Sequence, residues 1–353
     1  MLLTIIAGVI VLSVLVIAHE LGHFIAAKAT HNYVEEFGIG FPPRLWGKKW
    51  GETIYSINWI PFGGFNKLSG EVDPTAPRAL AARSHAVRLL VMSGGMIMNL
   101  LLPLVLLTVA YMVPHDIAVG KIVVQEVAEG TPAALAGIRI GDNIVAVNGN
   151  EVRNTGELSS YVLMKMGAKI TLSVIHADGT AEDIKVLARW KPPEGQSNTG
   201  SVSRMVEPIE IVSESLPVWE AVPESARTCY ETLVLTWNGI VGMFNGTVPF
   251  VAAGPVGIVQ VAGEVAQLGI SPLLQMAAVI SIAIAITQLI PFPALDGARI
   301  FFIVLEWARR GKRVSPRVET IIHSVGFFIL LALMVLITYQ DLARWITGGS
   351  LMD

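Results

Sequence analysis

Long apolar runs alternate along the chain with stretches of mixed polarity. Four runs reach about 20 mostly apolar residues, enough to span a bilayer as a helix. They lie near residues 2–27, 89–113, 276–295 and 321–340. The first opens with MLLTIIAGVIVLSVLVIA, which carries no charge, and then enters HELGHFIAAKA. It lacks a basic leading segment and its apolar face continues to Lys28, so it reads as a retained helix rather than a cleaved signal. A fifth apolar run, TLVLTWNGIVGMFNGTVPFVAAG at 232–254, is broken by Gly239, Gly242, Gly246 and Pro249. A fifth span would also export the basic cluster RRGKR at 309–313. Four spans are expected.

The intervening stretches differ in pattern. EEFGIGFPPRLWGKKWGETIYSINWIPFGGFNKLSGE is rich in Gly and aromatics, and alternations such as TIYSINWI predict short strands. Residues 115–190 predict a compact soluble domain, and 191–224, with KPPEGQSNTGS, a linker or irregular structure. The expected division is 1–113, 114–191, 192–275 (a linker and amphipathic helical region) and 276–353.

Composition changes the picture in one direction. Hydrophobic residues make up 53% and charged residues 15%, whereas soluble domains carry roughly 25% charged residues. The chain is therefore read as a membrane protein with a smaller soluble part. Its net charge of −3 gives no nucleic-acid signal. The single cysteine, Cys229, excludes a disulfide framework and a Cys-based zinc site. Residues 28–88 hold eight Lys/Arg against five acids and 297–320 six against two, whereas 114–275 hold ten against seventeen. Basic residues in short flanking loops stay inside. Both termini and the soluble domain are accordingly expected outside.

The chemistry sits at the end of the first span. His19 and His23 are four apart, so on a helix both imidazoles point to one face and can grip one metal ion. Glu20 beside them can hold a water, which is the HExxH arrangement of two zinc ligands and a general base. A carboxylate near hydrocarbon is costly unless paired or metal-coupled. A catalytic zinc keeps three protein ligands and one open position. Asp296, in ITQLIPFPALDGARI, is the only acid between Glu264 and Glu306, and Pro291 and Pro293 force extended backbone just before it. In a four-span chain the first and third spans run in the same direction, so His19, His23 and Asp296 fall at one depth.

HELGH, GGMIMN and IPFPALDG, in this order, resemble the site-2 protease family of intramembrane zinc metalloproteases, in particular its bacterial regulator of sigma-E protease type. The resemblance covers nearly the whole chain. It implies Zn²⁺ held by His19, His23 and Asp296, with Glu20 as the general base. It also implies cleavage of single-span membrane proteins within or near their bilayer helix, such as anti-sigma factors or signal-peptide remnants. The location implied is the bacterial cytoplasmic (inner) membrane, with the active site near the cytoplasmic side. FGIGF and PFGGFNK resemble the family's membrane-associated β-hairpin and cytoplasmic loop, and GPVGI at 254–258 a segment before the third span. TPAALAGIRIGDNIVAVNG at 131–149 looks like part of a PDZ domain, a module that adds extended peptides to a sheet edge. Two positions depart from the family pattern. Gln288 replaces the usual Asn before PFPALDG, and Met96 replaces the usual Pro between Gly95 and Asn99. Gln288 and Asn99 are the expected substrate-positioning residues.

The fold class expected is a mainly α membrane protein with four transmembrane helices, a membrane-associated β-hairpin and an inserted extracytoplasmic, β-rich PDZ domain. The competing reading is a non-proteolytic zinc-binding scaffold or carrier. A carrier would favour polar residues along several spans or internal repeats, and this chain has neither.

Overall fold

The computed structural model describes residues 2–71, 73–248 and 253–347. The first elements in chain order are α1 (Leu2–Ala29), β1 (Val34–Trp50), β2 (Thr53–Leu68), α2 (His85–Met112) and β3 (His115–Val127). Then come α3 (Pro132–Ala136), β4 (Asn143–Val147), β5 (Asn150–Glu151), α4 (Thr155–Leu163), β6 (Lys169–Ile175), β7 (Ala181–Leu187) and β8 (Ser201–Glu214). The chain closes with α5 (Val218–Phe244), α6 (Pro255–Gln267), α7 (Ile270–Leu289), α8 (Asp296–Ala308) and α9 (Pro316–Ile346). It divides into two compact units, 1–110 with 221–229 and 251–353, and 111–220 with 230–250.

Among the described residues, four helices of the first unit are long and apolar enough to cross a membrane: Thr4–Ala29, His85–Met112, Ile270–Leu289 and Pro316–Ile346. The third ends at Leu289, six residues before its expected end. Pro291 and Pro293 cannot donate helical hydrogen bonds, so the backbone leaves the helix at Ile290. The interrupted run at 232–254 falls largely within α5, which does not qualify as a span. Its residues 249–252 lie outside the described residues.

Helix α6 packs against α1 with almost no room between backbones. A Cβ on Gly8 would lie 2.5 Å from Cα of Val259, and one on Gly263 would lie 2.5 Å from Cα of Thr4. Buried Asp341 of α9 caps the start of α6, accepting from the Gly254 and Gly257 N–H groups at 2.9 Å each. This explains the GPVG sequence. A Cβ on Gly254 would fall 2.7 Å from that carboxylate, and Pro255 occupies the helical position that needs no donor.

The segment expected as a hairpin is more than that. Phe37 pairs with Asn66 on one side and Tyr55 on the other, and Ile39 with both Gly64 and Ile57. Residues 53–58 pair again with 44–50, from Trp50↔Thr53 to Arg44↔Asn58. Both strands thus fold back on themselves. The lateral order is 64–68, 36–39, 53–58, 44–50, and the edges are 64–68 and 44–50. At the first fold Gly40 has φ +76, and a Cβ there would lie 2.4 Å from the Ile60 carbonyl oxygen. FGIGF is therefore an interior segment. Local alternation predicted strands, but their lateral order is set by pairings that alternation does not encode.

A buried charge cluster ties α8 to α2 in this unit. Glu306 of α8 accepts from Arg88 of α2 at 2.5 Å, from Arg313 Nε at 2.8 Å, and lies 3.2 Å from His85 Nε2. Burial pushes its carboxyl up, but the two guanidiniums outweigh this and hold it below the usual carboxylate range.

The second unit is a sheet ordered β7-β6-β4-β3-β8, with β5 beside β4. Ile122, Val124, Ile144, Val147, Ile170, Leu172, Val174 and Val186 form its core, contributed by the inward faces of four strands, β3, β4, β6 and β7. Thr131 caps α3 and Gly137 ends it with φ +96, as TPAALAG predicts. The stretch expected as a linker instead supplies β8, which pairs with β3 along nearly its whole length. Several of its residues are polar, because only part of an edge strand is covered. Buried Asp142 accepts from the Arg139 N–H at 2.8 Å and bonds His176 Nδ1 at 2.8 Å, while Glu182 lies 3.2 Å from His176 Nε2. The bonds to Asp142 and Glu182 raise the His176 pKa above its ordinary value. That stabilisation is complete below the unfolded value of about 6.5 and is lost as pH rises through the raised folded value. His176→Gln should therefore lower the thermal stability of this unit at about pH 5.5 and have much less effect at about pH 9. Equal losses in the two thermal melts would show that the charge contributes nothing.

Candidate metal centre

HELGH lies near the C-terminal end of α1, where helical periodicity sets both imidazoles on one face. His19 and His23 are both buried. The turn after α7 brings Asp296 to them from 273 residues away, with Oδ2 at 3.0 Å from His19 Nε2 and 3.0 Å from His23 Nε2. The two Nε2 atoms are 3.2 Å apart. Among the described residues this is the group of three or more His, Cys, Asp or Glu side chains with the proximity to hold a metal.

The donor set fits a zinc ion. Bonds of about 2.0–2.1 Å at tetrahedral angles put two ligand atoms about 3.3 Å apart, close to the distances here. Protonation points the same way. The Val91 carbonyl lies 2.8 Å from His23 Nδ1 and can only accept, so Nδ1 carries the proton and Nε2 a lone pair. In the neutral imidazole that lone pair faces a carboxylate oxygen and a second imidazole, an arrangement that a metal cation among the three satisfies. Glu20 is half-buried next to His19, and among the described residues no hydrogen bond or ion pair holds its carboxylate.

Helix α2 supplies the wall behind the histidines. Gly22 and Gly94 bring the backbones of α1 and α2 together, since a Cβ on Gly22 would lie 2.1 Å from the Gly94 carbonyl oxygen. A Cβ on Gly95 would lie 2.5 Å from Nε2 of both His19 and His23. Val91, Gly95 and Asn99 are spaced by four and form one stripe, and each meets the imidazole pair. Val91 and Gly95 were not foreseen, although this spacing facing a histidine pair of the same spacing is a readable signal.

The ligand loop is held equally firmly. A Cβ on Gly297 would fall 2.3 Å from the Ile290 carbonyl oxygen and 2.5 Å from that of Leu289, so only glycine fits after Asp296. Ala294 donates its N–H to His323 Nδ1 of α9 at 3.1 Å. The Gln288 Oε1 accepts the Asp296 N–H at 3.4 Å, supplying the cap that Leu295 lacks. Asn99 lies deeper, behind the histidines. It is 0% exposed, and its Nδ2 lies 3.3 Å from His19 Nδ1. It reaches the ring nitrogen of His19 opposite the one that meets Asp296.

Comparison with known proteins gives the same picture. The sequence model described as Peptidase family M50 matches residues 7–333. A provisionally named zinc metalloprotease of Clostridium perfringens is 32% identical over 343 residues, covering 96% of this chain and 98% of the relative. The membrane metalloprotease ARASP, chloroplastic, of Arabidopsis thaliana is 30% identical over 96% of this chain and 78% of its own. Zinc metalloprotease RasP of Oceanobacillus iheyensis is 26% identical over 97% and 99%.

The wall yields a prediction. Gly95→Ala places a methyl 2.5 Å from both Nε2 atoms, so the imidazoles must splay. Metal content of the purified variant, by elemental analysis, should fall well below that of the parent. Full occupancy would mean that the histidines do not depend on this wall.

Proposed function

The chain belongs to peptidase family M50, and on that premise we propose that it is a zinc-dependent endopeptidase that cuts single-span membrane proteins within or near their bilayer helix. The observation that carries this is the convergence of His19 and His23, in a long apolar helix, with Asp296 just beyond another, beside a Glu20 that no hydrogen bond or ion pair holds among the described residues.

The roles follow from position. His19, His23 and Asp296 hold the zinc, which when bound supplies Lewis acidity at the scissile carbonyl. Glu20 takes the proton of the attacking water and returns it to the leaving amine. With no hydrogen-bond or ion-pair partner among the described residues, its carboxylate is available for both transfers.

A substrate helix must unwind, because its carbonyls are otherwise bonded internally. The sheet edge at 64–68 is suited to receive it. Among the described residues it pairs with a strand on one side only, and a side chain at Gly64 would touch Glu20 Cγ at 3.8 Å. Extended substrate added there would present its backbone beside the base.

The second unit reads as a PDZ-like domain. A groove of about 280 Å³ lies between α4 and residues 197–203, lined by Leu158, Val162, Thr199 and Val202 among others. It borders β8, the edge of the sheet, where an extended peptide can add. The charge bias of the loops supports placing this unit and both termini outside, with the metal centre near the cytoplasmic face.

Purified protein should hold about one Zn²⁺ per chain, removable by chelators, and Asp296→Ala should lower it by leaving two protein ligands. Glu20→Gln should keep the metal and lose cleavage of a single-span substrate by roughly 10²–10⁴-fold. Turnover retained by Glu20→Gln would overturn the protease reading in favour of a scaffold or carrier. Cysteine labelling offers a separate check on orientation. Positions near Lys48 and Arg310 should label from inside and positions near Asn198 from outside, and label at Arg310 from outside would defeat the shared depth of the ligands.

A further inference from the structure

Val91 fixes the proton on one histidine, and the other poses the same problem. For His19 Nε2 to bind a metal its proton must sit on Nδ1, and a buried Nδ1–H needs an acceptor. Among the described residues, the polar contact of His19 Nδ1 is the Asn99 side chain, 3.3 Å away.

The two ends of a carboxamide exchange by a half-turn about its last bond. With Nδ2 toward His19, the amide donates to Nδ1, the ring proton is forced to Nε2, and Nε2 is lost as a ligand. Asn99 Oδ1 is then buried without a partner. With Oδ1 toward His19, the amide accepts from Nδ1–H and Nε2 presents its lone pair to Asp296 and His23. Each orientation leaves one amide atom unpaired, so the protein's own hydrogen bonds do not choose between them. A metal does.

The backbone beneath this side chain is fixed. The Asn99 carbonyl would ordinarily accept from the residue four along, but that is Pro103, which has no N–H. Ser281 of α7 donates to it instead, at 2.8 Å, and Ser281 is itself 0% exposed. Asn99 therefore sits where α2 is pinned by α7, with Gly95 one turn before it leaving room for the imidazole.

We infer that Asn99 is a positioning residue of the metal centre: its side-chain oxygen accepts from His19 Nδ1–H and keeps Nε2 free to bind zinc. It acts through His19 and touches neither substrate nor the reacting atoms. The inference rests on the zinc reading above and adds to it the residue that sets one ligand's tautomer.

The test compares zinc affinities by chelator competition in the full-length protein, for Asn99, Asn99→Leu and Asn99→Asp. Leucine keeps the approximate shape and removes the acceptor, whereas aspartate keeps an acceptor of nearly the same length. Loss of an outer partner of a metal-bound histidine typically weakens binding 10–100-fold. Asn99→Leu should show a loss of about that size, and Asn99→Asp should bind as tightly as the parent or more tightly. Asn99→Ala should match the leucine variant, and stands in for it if leucine does not insert. A purely packing role reverses the order, since leucine would be tolerated and a buried carboxylate would not. Parental affinity in the leucine or alanine variant, or aspartate no better than leucine, overturns the inference. Failure of the parent to bind zinc at all would instead defeat the reading on which it rests.

Discussion

The backbones of α1 and α2 touch at Gly22 and Gly94, and the rest of the site depends on that contact. Lipid gives apolar helices little reason to associate through hydrophobicity alone, so close approach through small residues has to supply the packing. Here that approach also serves the chemistry. It sets a glycine flank of α2 against two imidazoles, and it leaves the Val91 carbonyl and the Asn99 side chain at hydrogen-bond range behind them. A larger residue at either glycine would separate ligands from the groups that orient them.

Apolar surroundings make every unpaired polar group costly, about 1–3 kcal/mol for a buried hydrogen-bonding group. The bundle answers with specific partners where prolines interrupt helices. Pro103 frees the Asn99 carbonyl, and Ser281 takes it. Pro291 and Pro293 end α7 early, and Gln288 and His323 then bond the Asp296 and Ala294 N–H groups. Asp341 serves two N–H groups at the start of α6. The interruptions that expose backbone are thus the places where helices are tied together. Removing Glu306 would leave the buried Arg88 guanidinium without its carboxylate, a loss of about 3–5 kcal/mol. That pair links the helix carrying Asp296 to the helix behind the histidines.

The sheet shows how a lateral order changes a functional reading. FGIGF has the glycine and aromatic pattern of a segment that other chains can join, yet both of its sides are occupied. Its neighbour at 64–68 is the open edge beside α1. A Cβ on Gly64 would lie 2.8 Å from the Gly38 carbonyl oxygen, so glycine in PFGGFNK lets this edge close on its neighbouring strand.

What the sequence determined by itself was whatever is local or periodic. Hydropathy runs located the four spanning helices, because a bilayer crossing needs a continuous apolar stretch. A four-residue spacing put His19 and His23 on one face, and TPAALAG specified a capped short helix. Asp296 was legible as their distant partner because it was nearly the only acid in a long apolar region. Tertiary structure alone decided the rest. The four-segment sheet, the placing of β8 beside β3 and the packing of α6 against α1 all depend on pairings between distant residues, and backbone pairing leaves little trace in side-chain pattern. Asn99 and Gln288 were visible as polar residues near the site, but their partners were not. Which face of a helix meets which neighbour is fixed only when the helices pack. That packing turned Asn99 toward His19, 80 residues away, and the Gln288 carbonyl toward the backbone of Asp296.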